Sequence, residues 1–316
     1  MLVIRLDAIG DALALTPLLA ALRERGIPVD VVLRGVNAHI FSSRAARAVY
    51  IAPFALRSST NENRRAIDEF GERLGANGYT HVLVATEDPG GYRLARAVDA
   101  PERVGFSNGW GKPLKSLWIR TLVNHTVVRS AGLDPRAPHE CDVLFELGRG
   151  IVGEGAVPSR DPAHLRPLIL ERETARGSRI AFQISDKWER LGIAFEEVVD
   201  ALRRTSALGD VHAIASDREA PYAQRITAAS GIHVDSYRSL EPWKEAIASA
   251  RAVVAPDSGA VHVAGMVGTP VVAVFPPIAQ FELQSARWAP WAAPYRLVRA
   301  DEAWPAAASS ALASLL

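Results

Sequence analysis

Short runs of β-branched and aliphatic residues recur along the chain, separated by longer stretches of helical periodicity. LVIRL at 2–6, VDVVL at 29–33, HVLVAT at 81–86 and VGF at 104–106 mark the first half. Leu13, Pro17, Leu18 and Leu22 then fall on one face of an amphipathic helix, and HECDVLFELG at 139–148 reads as another that closes this half. A stretch rich in glycine, proline and charge, GRGIVGEGAVPSRDPAHLRP, follows and reads as a linker or irregular surface segment. The alternation then restarts with IAFQIS at 180–185, VHAIAS at 211–216, IHVDS at 232–236, AVVAP at 252–256 and VVAVF at 271–275. Strands that alternate with helices predict parallel sheets covered on both faces. The simplest architecture is two α/β lobes, over 1–165 and 166–316, with a cleft between them.

Composition narrows the classes. At 316 residues and 48% hydrophobic content the chain can bury two sizeable cores. A formal charge of +1 argues against a general nucleic-acid binder, so any basic patch must be local. One cysteine, Cys141, allows neither an intrachain disulfide nor a cysteine-based zinc site, in keeping with a reducing cytoplasm. No run approaches the ~20 apolar residues of a membrane span. Arg5, Asp7 and Asp11 interrupt the first apolar stretch, so it does not read as a signal peptide. The histidines are scattered without metal-ligand spacing, and no D-x-D triplet occurs, which leans toward a phosphate site made by protein groups alone.

The densest chemistry lies between the last two apolar runs, in Pro256-Asp257-Ser258-Gly259-Ala260-Val261-His262-Val263-Ala264-Gly265. Ser258 and Gly259 start a helix whose first N–H groups and dipole favour an anion such as a diphosphate, and His262 follows one turn later. Taken singly, Asp257 or Ser258 reads as a helix cap, Gly259 as turn chemistry and His262 as a packed core residue. Gly148-Arg149-Gly150-Ile151-Val152-Gly153 spells a dinucleotide-binding fingerprint, but it follows a helical pattern instead of a strand and is rejected.

Taken together, D-S-G-x-x-H-x-A followed by G-T-P and an apolar strand resembles the D-T-G-x-x-H-x-A motif of the bacterial heptosyltransferases, glycosyltransferase family 9. The opening, with Arg5, Asp7, Gly10, Asp11 and Pro17, resembles that family's R-x-D-x-I-G-D-x-x-x-x-x-P. The His139 helix and a lysine-bearing turn, Gln183-Ile184-Ser185-Asp186-Lys187-Trp188, complete the family order. Serine at 258 replaces the family's threonine, and Lys187 and Trp188 are adjacent where the family usually has K-x-W.

The resemblance implies a GT-B fold of two Rossmann-like lobes, with the acceptor bound mainly by the first and the nucleotide sugar by the second. It implies an inverting transfer of heptose from ADP-heptose to a lipopolysaccharide inner-core acceptor, with no cofactor and no essential metal. Asp11 takes the general-base role, and Asp7 a structural one. Ser185, Lys187, Glu219, Asp257, Ser258, Gly259 and His262 take the donor. From the residues alone, Asp11 is more often a helix cap, while Lys187 is equally a solvated turn residue and Glu219 the partner of Ser216 in a capping box. Between Pro89 and Arg120 a basic, tryptophan-bearing segment offers Arg93, Lys112 and Arg120 as candidate contacts to an acidic acceptor, or simply a solvated face. The expected location is the cytoplasm, with peripheral contact at the inner face of the membrane. A nucleotide-sugar 2-epimerase on the same fold and a non-catalytic sugar-binding module are the alternatives.

Overall fold

A computed structural model describes residues 1–130, 139–301 and 303–316. The chain divides into two units, Met1–Ser159 and Arg160–Leu316. In the first, six strands run β1 (Leu2–Ile4), β2 (Asp30–Leu33), β3 (Ala48–Ile51), β4 (His81–Val84), β5 (Glu102–Ser107) and β6 (His125–Val128). They form one parallel sheet in the order β3-β2-β1-β4-β5-β6. The second unit repeats the pattern with β7 (Ile180–Gln183), β8 (Val211–Ser216), β9 (Val234–Tyr237), β10 (Ala252–Pro256), β11 (Val271–Phe275) and β12 (Tyr295–Arg299). Its order, β12-β11-β10-β7-β8-β9, is the same arrangement read from the other edge. Each unit is therefore a Rossmann-type sheet, with strand order 3-2-1-4-5-6.

The strands β1, β10 and β11 are apolar along their whole length because helices cover both faces. Val3 lies between Val31 and Leu83, and Val254 between Phe182 and Val272, all of them buried. The N-terminal core packs Leu2, Ile4, Val82 and Val84 against Phe70 and Tyr92. In the C-terminal core Trp188 stacks on Trp304 at 5.2 Å and on Phe182 at 6.0 Å.

Three strands were not evident from the apolar runs: β3, β6 and β12. β3 and β6 are edges of the first sheet and β12 an edge of the second, and each leaves residues exposed. A strand covered on fewer sides needs less apolar sequence. The 148–167 stretch also differs from a linker, for it holds helices at Arg149–Val152 and Pro162–Ile169. The second of these buries Leu165, Leu168 and Ile169 and packs on the helix Gly259–Val267, with Arg166 Nη1 donating to the Val267 carbonyl at 3.0 Å. The Pro162–Ile169 helix thus belongs to the unit Arg160–Leu316.

Candidate active site

In a sheet of this order the connections diverge on either side of the first strand, opening a crevice at the carboxyl ends of the first and fourth strands. In the N-terminal unit those ends belong to β1 and β4. Arg5 leaves β1 fully enclosed and organises the loop after it. Its Nε donates to the Asp11 carbonyl at 3.0 Å, and its Nη1 to the Ala85 carbonyl just past β4. Nη2 meets Asp11 Oδ1 at 3.2 Å and Glu140 Oε1 at 3.4 Å. Glu140 is itself buried, and its Oε2 takes Arg129 Nη2 at 3.1 Å. Arg129 Nε stands 3.3 Å from Glu87, which also faces Lys115 at 3.4 Å. A ladder of alternating charge thus runs from Asp11 to Lys115.

Asp11 sits in the short helix Ile9–Leu13, and its Oδ2 accepts the Ala8 N–H at 3.0 Å, so it caps that helix start as well as pairing with Arg5. Burial pushes its carboxyl above the ordinary aspartate value, opposed by the Arg5 cation and reinforced by Asp7 and Glu140. A carboxylate held this way is a better proton acceptor than a free aspartate. Asp7 Oδ2 lies 3.4 Å from Arg5 Nη1 and is buried without a hydrogen-bond partner, while the Asp7 carbonyl accepts from Asn37 at 2.8 Å.

The C-terminal unit has its crevice at the ends of β7 and β10, where two groups of sequence-selected residues emerge. After β7, Ser185 Oγ donates to Glu219 Oε1 at 2.5 Å and accepts the Lys187 N–H at 3.1 Å. Glu219 also takes the Asp186 N–H on Oε1 at 3.2 Å and the Ser216 N–H on Oε2 at 3.4 Å, so the capping box exists and bridges two turns. Burial raises the Glu219 carboxyl above its ordinary value, with the Ser185 and Ser216 hydrogen bonds pulling the other way. The adjacency of Lys187 and Trp188 resolves into opposite fates. Trp188 turns fully inward and donates Nε1 to the Gln183 carbonyl at 3.0 Å, while Lys187 remains partly open to solvent.

After β10, Ser258 opens the helix Gly259–Val267 in extended conformation, and no side chain caps that helix. The Ser258 Oγ is buried and has no hydrogen-bond partner. One turn on, His262 is buried with its ring edge-on to Trp288 at 5.8 Å. Burial lowers its pKa to about 4; the Asp257 carboxylate opposes the shift and the Lys187 ammonium adds to it. His262 is therefore neutral near pH 7 and offers a hydrogen bond without a charge. Positive potential at this turn comes from Lys187 and from the open amides of the helix start.

Arg93 lines a pocket of about 420 Å³ together with Arg57, Lys115 and Trp118. Lys112 and Arg120 are exposed and stand outside it. Arg96 and Arg103 of the same basic segment are tied to their own surroundings: Arg96 to Asp99 at 3.0 Å, Arg103 to the Ala100 carbonyl at 2.5 Å. Sequence reasoning passed over Glu87 and Arg129 and read Glu140 only as part of a helix. Their signal was weak, since a buried ion-pair partner has no spacing rule. The glycine-rich fingerprint at 148–153 follows the helix Glu140–Glu146 and forms a helical turn of its own, where a side chain at Gly148 would stand 2.4 Å from Leu18. Among the described residues no three His, Cys, Asp or Glu side chains gather to hold a metal ion.

Two Rossmann-type units, each with polar side chains at its strand-order reversal, define an α/β protein of the GT-B type. The family read from the motifs is the one whose model the chain matches: residues 192–314 fit Glycosyltransferase family 9 (heptosyltransferase). That span includes the 257–262 turn but neither Lys187 nor Asp11. Among solved structures, E. coli heptosyltransferase WaaC with ADP is 18% identical with a TM-score of 0.75, the match covering 100% of this chain and 99% of that one. The same E. coli protein with ADP-2-deoxy-2-fluoro heptose aligns at 20% identity, TM-score 0.70, over 99% and 97% of the two chains. E. coli ADP-heptose lps heptosyltransferase II aligns at 16% identity, TM-score 0.72, over 99% and 97%. At these identities the likeness is one of fold. No curated protein matches the chain in sequence.

Proposed function

We propose that this protein is an inverting glycosyltransferase that moves a heptose from ADP-heptose onto a lipopolysaccharide inner-core or related glycan acceptor. The observation that carries the reading is the turn after β10. An uncapped helix start, an unpartnered buried serine hydroxyl and a neutral histidine meet there at the strand-order reversal, beside the charge of Lys187. This is a site for a diphosphate, and it lies inside the span that matches the heptosyltransferase model. The structural relatives are described with ADP and with an ADP-heptose analogue, which supports ADP as the nucleotide.

In this reading the acceptor oxygen forms a bond to the anomeric carbon as the bond from that carbon to the diphosphate oxygen breaks. Asp11 takes the proton of the acceptor hydroxyl, and ADP leaves with the bonding electrons. Lys187, the Ser258 hydroxyl and the amides at 259–260 stabilise the developing charge, so the transfer requires no metal. Ser185 and Glu219 hold the turns beside the nucleotide, with Glu219 directed to the ribose. Arg93, Lys112 and Arg120 serve the acidic acceptor, and the reaction takes place at the cytoplasmic face of the membrane.

Titration calorimetry with ADP and with adenosine tests the phosphate site. Lys187→Ala should weaken ADP binding by about 1.5–3 kcal/mol, the range for hydrogen bonds to charged groups, and leave adenosine nearly unchanged. Equal losses for both ligands, or no loss for either, would remove Lys187 from the diphosphate.

A further inference from the structure

The segment around the helix Pro113–Arg120 carries apolar side chains that the transfer reading does not use, beside Lys112 and Arg120, which that reading gives to the acceptor. Trp110 is 95% exposed, Leu114 83% and Leu117 66%. Leu114 and Leu117 share one face of the helix by their spacing, and the opposite face buries Ser116 and Ile119. The turn bearing Trp110 is fastened to this helix, because Ser116 Oγ contacts both the Gly109 and Lys112 carbonyls, at 3.0 and 2.9 Å. Val128, 74% exposed at the end of edge strand β6, extends the patch, its Cγ1 lying 3.9 Å from where a side chain at Gly109 would begin.

Four large apolar side chains presented together to water carry a hydration cost unless something covers them. Charge identifies the cover. No aspartate or glutamate occurs between Arg103 and Leu133, whereas Lys112, Lys115 and Arg120 lie within the patch segment, and the first two are half of the chain's lysines. On the helix, Lys115 and Arg120 flank the leucine face on opposite sides. The nearby acidic partner is Glu87, engaged with Lys115 and Arg129. Apolar residues with a tryptophan at the margin, rimmed by cations, match a bilayer interface that has anionic headgroups over acyl chains. No helix among the described residues is long and apolar enough to cross a membrane, so the contact is one that lies on the surface.

We infer that Trp110, Leu114, Leu117 and Val128 insert shallowly into an anionic lipid bilayer, with Lys112, Lys115 and Arg120 against its headgroups. The inference rests on the transfer reading for its location at the membrane, but vesicle binding needs neither donor nor acceptor, so its failure and that of sugar transfer are distinguishable. The test uses the full chain with phosphatidylglycerol/phosphatidylcholine vesicles and with phosphatidylcholine vesicles alone. The wild type should co-sediment with the anionic vesicles, less so in high salt, and Leu114→Gln/Leu117→Gln should lower that partitioning at least about tenfold with an unchanged melting temperature. Brominated lipid should quench tryptophan emission in the wild type, and Trp110→Phe should remove most of that quenching while binding persists. Three results overturn the inference: a wild type that ignores anionic vesicles, a double variant that binds as well as the wild type, or quenching untouched by Trp110→Phe. A wild-type dimer that the double variant dissociates would also overturn it, by assigning the face to a second copy of this chain.

Discussion

Asp11 and His262 have opposite electrostatic assignments, and each leads to a measurement. Because burial and the neighbouring Asp7 and Glu140 raise the Asp11 carboxyl, a reaction that needs it ionised should fail on acidification at a pH above the ordinary aspartate range. Glu140→Gln removes one of the raising charges. The acid limb of the kcat/KM profile should therefore move to lower pH in that variant; a limb that stays or rises would contradict the charge ladder. His262 is depressed to about 4, below its ordinary 6.5, so its neutral form is favoured by folding. Its contribution to stability is complete above pH 6.5 and is lost as pH falls through about 4. Ring resonances of His262 should show a neutral imidazole down to that range, and titration near 6.5 would mean the ring is far more open than its packing indicates. At this scale motif spacing made Ser258, His262 and Asp11 legible. Spacing hid Arg129 and Glu87, whose roles arise only when β4, β5 and β6 lie side by side.

At the level of elements, legibility followed burial. Strands enclosed by neighbours and helices declare themselves as unbroken apolar runs, LVI for β1, AVVAP for β10 and VVAVF for β11, and β2 shows a run broken only by the buried, Arg47-paired Asp30. HTVV and YRLVR, at sheet edges, carry histidine, tyrosine or arginine on exposed positions and look like loop or helix sequence, while AVYI is apolar but exposes Val49 and Ile51 at its edge. The helix Gly259–Val267 shows why small residues surround the motif. A Cβ on Gly265 would stand 2.8 Å from the Trp291 backbone nitrogen and 3.1 Å from Pro290 Cα, while the Gly265 carbonyl accepts the Ala292 N–H at 3.0 Å. Alanine gains up to about 1 kcal/mol in helix propensity over glycine. The obstruction is backbone and cannot rotate away, so the crowding term, about 1–3 kcal/mol, should exceed that gain. Urea denaturation of Gly265→Ala should show net destabilisation, with ADP affinity reduced if the helix start shifts; a stabilised variant would show that the approach is looser than the geometry states.

For the molecule as a whole, the repeated strand order follows from chain pattern and chirality: strands alternating with helices lead to parallel sheets, and right-handed connections leave few arrangements. Chemistry at the two reversals is what separates this chain from other doubly wound proteins, because the fold alone serves many reactions. A near-neutral total charge conceals the acid-free segment from Arg103 to Leu133, which is why composition excluded a general polyanion binder yet left room for a local cationic surface. The account's central claim is acceptor-dependent sugar transfer assisted by Asp11. It is tested most directly by following ADP release from ADP-heptose in excess chelator, with and without a Kdo-bearing lipopolysaccharide-core acceptor, in the wild type and in Asp11→Asn. The wild type should release ADP only when acceptor is present, and Asp11→Asn should bind the donor with little change yet turn over about 10²- to 10⁴-fold more slowly. Undiminished turnover in Asp11→Asn, an absolute demand for a divalent cation, or an altered sugar without any acceptor would contradict it.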